Sequence, residues 1–384
     1  MEFSNKSKLL VVDDSAFMRK LISDFFIDNS KVEVVGTARN GKDALKKIQS
    51  LQPDVVTMDV EMPELNGLDA LKEIMRLSPV PVIMLSSTTI QGAENALIAM
   101  ENGAVDFVAK PSGTISLDLH KIKEELVHKV EHAAHVSVTK LKKANVEQIT
   151  THLHKTASFK EDKAVTKPPS NQMANIANTE DAKKNRWNQT AKKIVLIGTS
   201  TGGPRALQEV ITKLPSTIKA PILIVQHMPA GFTKSLAERL NQLSHINVKE
   251  AQQGDILQNG VAYIAPGGSH LKVEKRGGSF EIVLDQNEPP RSGHRPSVDV
   301  MFESVSKVSD FDKVAVIMTG MGTDGSKGLM ELKKNGNVMA IAESEKTCIV
   351  YGMPKAAVET QLVNEVVDVD NIAEAIMTYL PTVK

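Results

Sequence analysis

The sequence has a single cysteine, Cys348. That excludes a disulfide framework and a zinc site built on cysteine pairs. It carries no excess of either charge, since 46 Lys and Arg face 46 Asp and Glu. A globally basic nucleic-acid binder is therefore disfavoured. No apolar run reaches the roughly 20 residues needed to span a bilayer, so no membrane insertion is expected. The opening residues Met1 to Lys6 lack the apolar core of a secretory signal, and a cytoplasmic location is expected. Glycine is missing altogether from Thr114 to Ile197, and Trp187 is the only tryptophan. What is present is ordinary for globular protein: 384 residues, 41% hydrophobic and 24% charged. That length suits two or three domains, each large enough to bury a core.

Short apolar runs at 9–12, 32–35, 55–58, 82–85 and 105–108 alternate with amphipathic stretches. One stretch carries Met18, Leu21, Ile22 and Phe25; another Leu68, Leu71, Ile74 and Met75; a third Ala93, Ala96, Leu97 and Met100. Runs this short suit strands buried on both faces, and repeated strand-then-helix units predict a parallel, doubly wound sheet. A closing helix is expected from about Leu117 through Ile122, Leu126 and Val130. Between His120 and Lys193 stand 15 Lys or Arg and 8 Asp or Glu, an excess of seven positive charges (15 − 8). This polar, charge-biased stretch reads as a linker, helical at first and disordered from about Phe159 to Thr190. Alternation resumes at Lys193, with strands expected at 194–197, 222–225, 261–264, 282–284, 314–318 and 338–341. The fold class is thus α/β, with two doubly wound, mainly parallel domains at 1–125 and 192–384 and a linker at 126–191.

The first candidate site lies at strand ends. Asp13 and Asp14 follow the first strand, Asp59 ends the third, Ser86 the fourth, and Lys110, followed by Pro111, the fifth. In a doubly wound sheet all fall on the carboxyl edge, where ligands bind. Singly, each is most simply a cap or turn residue. Together, three carboxylates on one edge repel unless a cation neutralises them, and oxygen-only ligands favour Mg²⁺. A carboxylate beside such an ion and a lysine can accept a phosphoryl group.

Residues 8–125 resemble a response-regulator receiver domain, a flavodoxin-like fold. The matching words are Leu10-Val11-Val12-Asp13-Asp14-Ser15, Met58-Asp59-Val60-Glu61-Met62-Pro63, Gly67, Ser86 and Lys110-Pro111. The resemblance implies that Asp59 is the phosphoacceptor. It also implies that Asp14, Asp13 and the carbonyl of Glu61 join Asp59 around Mg²⁺. Ser86 would contact the phosphoryl oxygen, and Phe107 would be the aromatic of the switch.

The second site is a turn. A strand runs into Gly198-Thr199-Ser200-Thr201-Gly202-Gly203-Pro204, and a helical pattern with Leu207, Val210 and Ile211 follows. Strand, Gly-x-Ser-x-Gly turn and helix make the context of an exposed nucleophile, with the Thr201 N–H facing a developing oxyanion. A phosphate-cradling glycine loop is the competing reading, although the spacing matches neither common nucleotide motif. A serine needs a base and the base an orienting acid. His227 closes the strand at 222–225, and Asp324 stands in the glycine-rich loop after 314–318. Each alone is commonly structural, but all three share one sheet edge. Their chain order, Ser, His, Asp, differs from the α/β-hydrolase order. Cys348 reads as a core residue.

Residues 193–384 resemble the catalytic domain of chemotaxis protein-glutamate methylesterases, a Rossmann-like fold. The matching words include Ile197-Gly198-Thr199-Ser200-Thr201-Gly202-Gly203 and Gln226-His227-Met228-Pro229-Ala230-Gly231-Phe232. Others are Tyr263-Ile264-Ala265-Pro266-Gly267, His294-Arg295-Pro296-Ser297-Val298-Asp299 and Thr319-Gly320-Met321-Gly322-Thr323-Asp324-Gly325. The resemblance implies Ser200 as nucleophile, His227 as general base and acid, Asp324 as orienting carboxylate, and Thr201 and Met321 as oxyanion donors. It assigns the 294–299 segment to shaping the site and asks for no cofactor there. The implied enzyme is a phosphorylation-regulated methylesterase that also deamidates glutamine. Its partners would be methyl-accepting chemotaxis receptors as substrate and a chemotaxis histidine kinase as phosphodonor. Competing readings are an α/β-hydrolase-type esterase under receiver control, a receiver with a non-catalytic, DNA-reading output, and a phosphorylation-controlled nucleotide binder.

Overall fold

The computed structural model describes residues 6–110, 118–141, 187 and 191–381. The expected disordered stretch at 159–190 lies outside the described residues except for Trp187. Among the described residues no helix is long and apolar enough to cross a membrane.

The N-terminal half is a five-stranded parallel sheet in the order β2-β1-β3-β4-β5. Its strands are β1 (Ser7–Val12), β2 (Val32–Ala38), β3 (Val55–Asp59), β4 (Val82–Ser86) and β5 (Asp106–Ala109). Leu9 through Val12 are fully buried, as strands covered on both faces require. Four helices start where a short polar side chain replaces the missing intrahelical acceptor. Ser15 caps α1 (Ala16–Phe25), Asn40 caps α2 (Gly41–Leu51), Asn66 caps α3 (Gly67–Leu77) and Thr89 caps α4 (Ile90–Glu101). The closing helix α5 (Asp118–Ala133) buries Leu126 and Val130.

The C-terminal half centres on a seven-stranded sheet in the order β14-β13-β12-β6-β7-β9-β8, parallel throughout. Its strands are β6 (Lys193–Thr199), β7 (Ile222–Gln226), β8 (Asn247–Glu250), β9 (Val261–Ile264), β12 (Asp312–Ile317), β13 (Val338–Glu343) and β14 (Glu365–Val367). The run expected at 282–284 belongs instead to an antiparallel hairpin of β10 (His270–Arg276) and β11 (Ser279–Asp285), outside that sheet. Among the described residues six helices complete this half: α6 (Gly203–Ile211), α7 (Phe232–Leu243), α8 (Val298–Ser306), α9 (Ser326–Asn335), α10 (Met353–Glu359) and α11 (Val369–Thr378). Strand alternation divides the core in two. Val195 and Ile197 face α6, α7 and α11, whereas Ile194 and Leu196 face the hairpin, α8 and α9.

β6 and β12 are neighbours from which the chain winds in opposite directions. That switch point opens a crevice at the carboxyl edge. The two halves meet beside it. Phe107 of β5 stacks on Phe232 of α7 with ring centroids 4.6 Å apart. Arg239 of α7 forks onto Glu101 of α4 at 2.8 and 3.1 Å. Trp187 donates its indole N–H to the Tyr379 carbonyl at 2.9 Å.

Candidate functional site

At the N-terminal crevice Asp13 and Asp59 are buried, and Asp14 is exposed. Ligand oxygens of these three carboxylates lie within 4.8 Å of one another. Lys110 Nζ binds Asp13 Oδ2 at 2.9 Å and Asp59 Oδ1 at 2.8 Å. Burial raises the Asp59 carboxyl above its ordinary range, Lys110 opposes the rise and Asp13 adds to it. Burial would lower the Lys110 ammonium, but the two carboxylates hold it above its usual value. The Glu61 N–H points to Asp59 Oδ1 at 3.4 Å. Ser86 Oγ donates to the Gly92 carbonyl at 2.7 Å, which ties the end of β4 to α4. Phe107 is buried on the neighbouring strand. Pro111 lies outside the described residues. An all-oxygen donor set around a lysine fits a hard cation such as Mg²⁺.

At the C-terminal crevice the nucleophile candidate stands on a tight turn. A Cβ at Gly203 would come within 1.9 Å of Gln226 Oε1, so only glycine lets α6 start there. Gln226 is buried at the end of β7. It accepts from the Thr199 hydroxyl at 2.6 Å and donates to the carbonyls of Ser200 at 3.0 Å and His227 at 3.2 Å. One amide thus fixes the main chain under both candidate residues.

His227 Nε2 lies 2.8 Å from Asp324 Oδ2, with both side chains almost fully buried. Asp324 also accepts from the Ser297 hydroxyl at 2.8 Å and from the N–H groups of Val298 and Asp299 at 2.7 and 2.9 Å. These N–H groups open α8, whose positive end favours a carboxylate. Burial alone would raise Asp324, but His227 and those N–H groups outweigh it and hold the carboxyl below its usual range. Asp299 returns the favour by accepting from Gly325 and Gly328 at 2.8 and 2.7 Å, at the start of α9. Asp324 therefore serves the start of the helix that holds Asp299, and Asp299 the start of the helix that follows Asp324. Asp299 is pushed upward by burial and by Asp324 beside it, against the pull of those N–H groups.

Among the described residues no hydrogen bond joins Ser200 to His227, and the buried His227 Nδ1 has no partner. The structure therefore forms the acid–base half of the set and leaves the imidazole's second nitrogen free at the edge where Ser200 stands. Catalytic hydrogen bonds commonly tighten only when substrate is bound. The N–H groups of Thr201 and Met321 are likewise without partners among the described residues. They are donors available to an oxyanion.

The sequence profile of the response regulator receiver domain matches residues 9–121, and that of CheB methylesterase matches residues 195–376. The protein-glutamate methylesterase/protein-glutamine glutaminase of Geobacillus kaustophilus is 53% identical over 371 residues, which is 96% of this chain and 97% of the relative. Its Bacillus subtilis counterpart is 51% identical over 369 residues, again 96% and 97% of the two chains. The chain belongs to the protein-glutamate methylesterase/protein-glutamine glutaminase family. A solved structure, the Thermotoga maritima CheB methylesterase catalytic domain, is 42% identical and covers 50% of this chain and all of its own, with a TM-score of 0.48.

Around this family's candidate site stand groups whose contacts the sequence did not announce. His294 stacks on His227 with centroids 3.8 Å apart and rings inclined by 10°. Burial, then the neighbouring His227, pulls the His294 imidazole down to about 3, so it stays neutral. Thr201 Oγ1 donates to Asp106 Oδ2 of β5 at 2.6 Å, and Asp106 also pairs with Lys129 at 3.3 Å. Gln226 had one readable signal, a polar residue closing an otherwise apolar strand. Cys348 is buried, and burial raises its thiol, so it is unsuited to attack.

Proposed function

We propose that the chain hydrolyses glutamate γ-methyl esters and glutamine side-chain amides through Ser200, His227 and Asp324, under the control of a receiver that Asp59 switches. The observation that carries this reading is the 2.8 Å bond between His227 Nε2 and Asp324 Oδ2 at the edge where Ser200 stands. Asp324 orients the ring and stabilises its protonated form. Ser200 Oγ bonds to the ester carbonyl carbon while its proton passes to His227 Nδ1. The carbonyl electrons move onto oxygen, where the N–H groups of Thr201 and Met321 receive them. Collapse expels the methoxy group, which takes the proton from His227 and leaves as methanol. Water attacks the acyl-Ser200 ester by the same route, releasing glutamate and restoring the hydroxyl. With a glutamine substrate, ammonia leaves in place of methanol.

In the receiver, Asp13, Asp14, Asp59 and the carbonyl of Glu61 would hold Mg²⁺. Bound there, the ion supplies positive charge against the phosphoryl oxygens. An Asp59 carboxylate oxygen forms the bond to phosphorus as the phosphodonor's own bond to that phosphorus breaks and the donor leaves with the bonding pair, Lys110 balances charge, and Ser86 turns from Gly92 to the new phosphoryl oxygen. The adjoining switch aromatic, Phe107, stacks directly on the catalytic half. Unphosphorylated, the receiver covers the site through Phe107, Asp106 and Glu101, and phosphorylation weakens that contact. The receiver assignment covers 1–125, the linker 126–191 and the catalytic domain 192–384. The finer reading adds chemoreceptors in the cytoplasm as substrate and a chemotaxis histidine kinase as phosphodonor. Mass spectrometry of methylated receptor peptides tests it. Loss of methyl groups at glutamate supports it, and unchanged peptides with active, phosphorylated protein refute it.

A further inference from the structure

Glu343 ends β13 and is 1% exposed, yet among the described residues no cation forms an ion pair with it. A buried carboxylate without a counter-ion is costly. Its two oxygens are committed elsewhere. Oε2 accepts from the Thr319 N–H at 2.8 Å, and Oε1 accepts from the Thr347 hydroxyl at 3.0 Å. Thr319 has every polar atom engaged at the crevice. Its carbonyl accepts from the Ser200 N–H at 3.0 Å, and its hydroxyl donates to the Thr201 carbonyl at 2.9 Å while accepting from the Val350 N–H at 3.0 Å. The next residues, Gly320 and Met321, form the far wall. A Cβ at Gly320 would lie 2.7 Å from Ser200 Cβ, so this loop and the nucleophile turn have no slack between them.

We propose that Glu343 is a positioning residue for the hydrolysis: by gripping the Thr319 N–H it fixes the loop that holds the main chain of Ser200 and Thr201. This role presupposes Ser200 as nucleophile and Thr201 as oxyanion donor. The grip depends on charge, because a hydrogen bond to a carboxylate is about twice as strong as one to a neutral oxygen. Burial pushes the Glu343 carboxyl up to about 7, while the Thr319 N–H and the Thr347 hydroxyl oppose the rise. The other groups facing it are the Cys348 thiol and Lys140, both of which lower it. Lys140 Nζ is itself held by the carbonyls of Glu345 and Cys348 at 2.7 and 2.8 Å. Glu343 therefore changes charge within the working range of pH. Ionised, it tightens the oxyanion loop; protonated, it loosens it.

The test is the ratio of wild-type to Glu343→Gln kcat, measured as methanol release from a γ-methyl ester peptide by the full chain with a small phosphodonor. Taking the ratio cancels titrations common to both proteins. The expected ratio is near one at about pH 5.5 and rises to roughly threefold to tenfold at about pH 8.5, with KM unchanged. Thr347→Ala removes a bond that favours the carboxylate and should move the midpoint of wild-type activation to higher pH. Thermal unfolding gives a readout independent of turnover. Wild-type stability relative to that of Glu343→Gln should fall as pH rises from 4.5 toward 7. A ratio that stays at one, or one that is constant with pH, overturns the role of Glu343. Turnover by Ser200→Ala overturns the underlying site assignment instead, whatever the Glu343 variants do.

Discussion

Thr201 Oγ1 and Asp106 Oδ2 stand 2.6 Å apart, which places a residue beside the candidate nucleophile in the grip of the N-terminal sheet. Asp106 immediately precedes Phe107, so the strand that carries the proposed switch aromatic also holds the proposed oxyanion turn. A hydrogen bond to a charged acceptor is worth about 1.5 kcal/mol, which is roughly tenfold in a two-state equilibrium. Asp106→Asn should raise methanol release by the unphosphorylated chain by about that factor. Arg239→Ala should raise it only about twofold, because its side chain is 40% exposed and such pairs contribute little. If neither variant exceeds the wild-type basal rate, the covering contact is not inhibitory.

Lys110 lies 2.8 Å from the carboxylate of Asp59, the proposed phosphoacceptor. Asp59→Asn should make the rates with and without a small phosphodonor the same number. Continued stimulation of that variant would place the acceptor elsewhere. Residues 192–384 alone should turn over faster than the unphosphorylated full chain.

Ser200→Ala should lower kcat by more than about 10³ and eliminate the acyl-enzyme seen by mass spectrometry. Asp324→Asn should lower kcat by about 10³ to 10⁴ by giving His227 the wrong tautomer. It should also lower the melting temperature, because Asp324 accepts from Ser297, Val298 and Asp299 as well as binding His227. Acyl-enzyme formation without Ser200 would end the assignment.

His294 supplies a pH prediction. Its imidazole is lowered from an ordinary 6.5 to about 3, so protonation favours the unfolded chain. Its contribution to stability is complete above pH 6.5 and is lost as pH falls toward 3, at up to about 1.4 kcal/mol per unit. His294→Phe should keep the stack on His227 and flatten this acid limb, whereas His294→Ala should flatten it and also lower kcat. Denaturant unfolding at several pH values checks the slope. An unchanged slope in both variants would falsify the assignment.

The central strands were legible because burial on both faces leaves continuous apolar runs, as in Leu9 to Val12 and Ile194 to Ile197. The polar residues that end these runs could be placed on one edge by topology alone. The outer strands of the C-terminal sheet were not legible. β8 reads Asn-Val-Lys-Glu and β14 Glu-Val-Val; each closes one side of the sheet and buries little. β10 and β11 alternate in polarity because one face of their hairpin meets solvent, so they do not resemble parallel strands. Contacts between remote segments leave no local pattern. His294 on His227, Asp106 on Thr201 and Glu343 under Thr319 each depend on loops whose paths only the packed chain defines.

The crossed capping of α8 by Asp324 and α9 by Asp299 ties chemistry to architecture. A catalytic acid mounted on a free loop could be exchanged at the cost of activity alone. Here each carboxylate is also the keystone of its neighbour's helix, so losing either one unseats both. The two positions should drift together or not at all, and any redesign of the relay must rebuild two helix starts before it can move one proton.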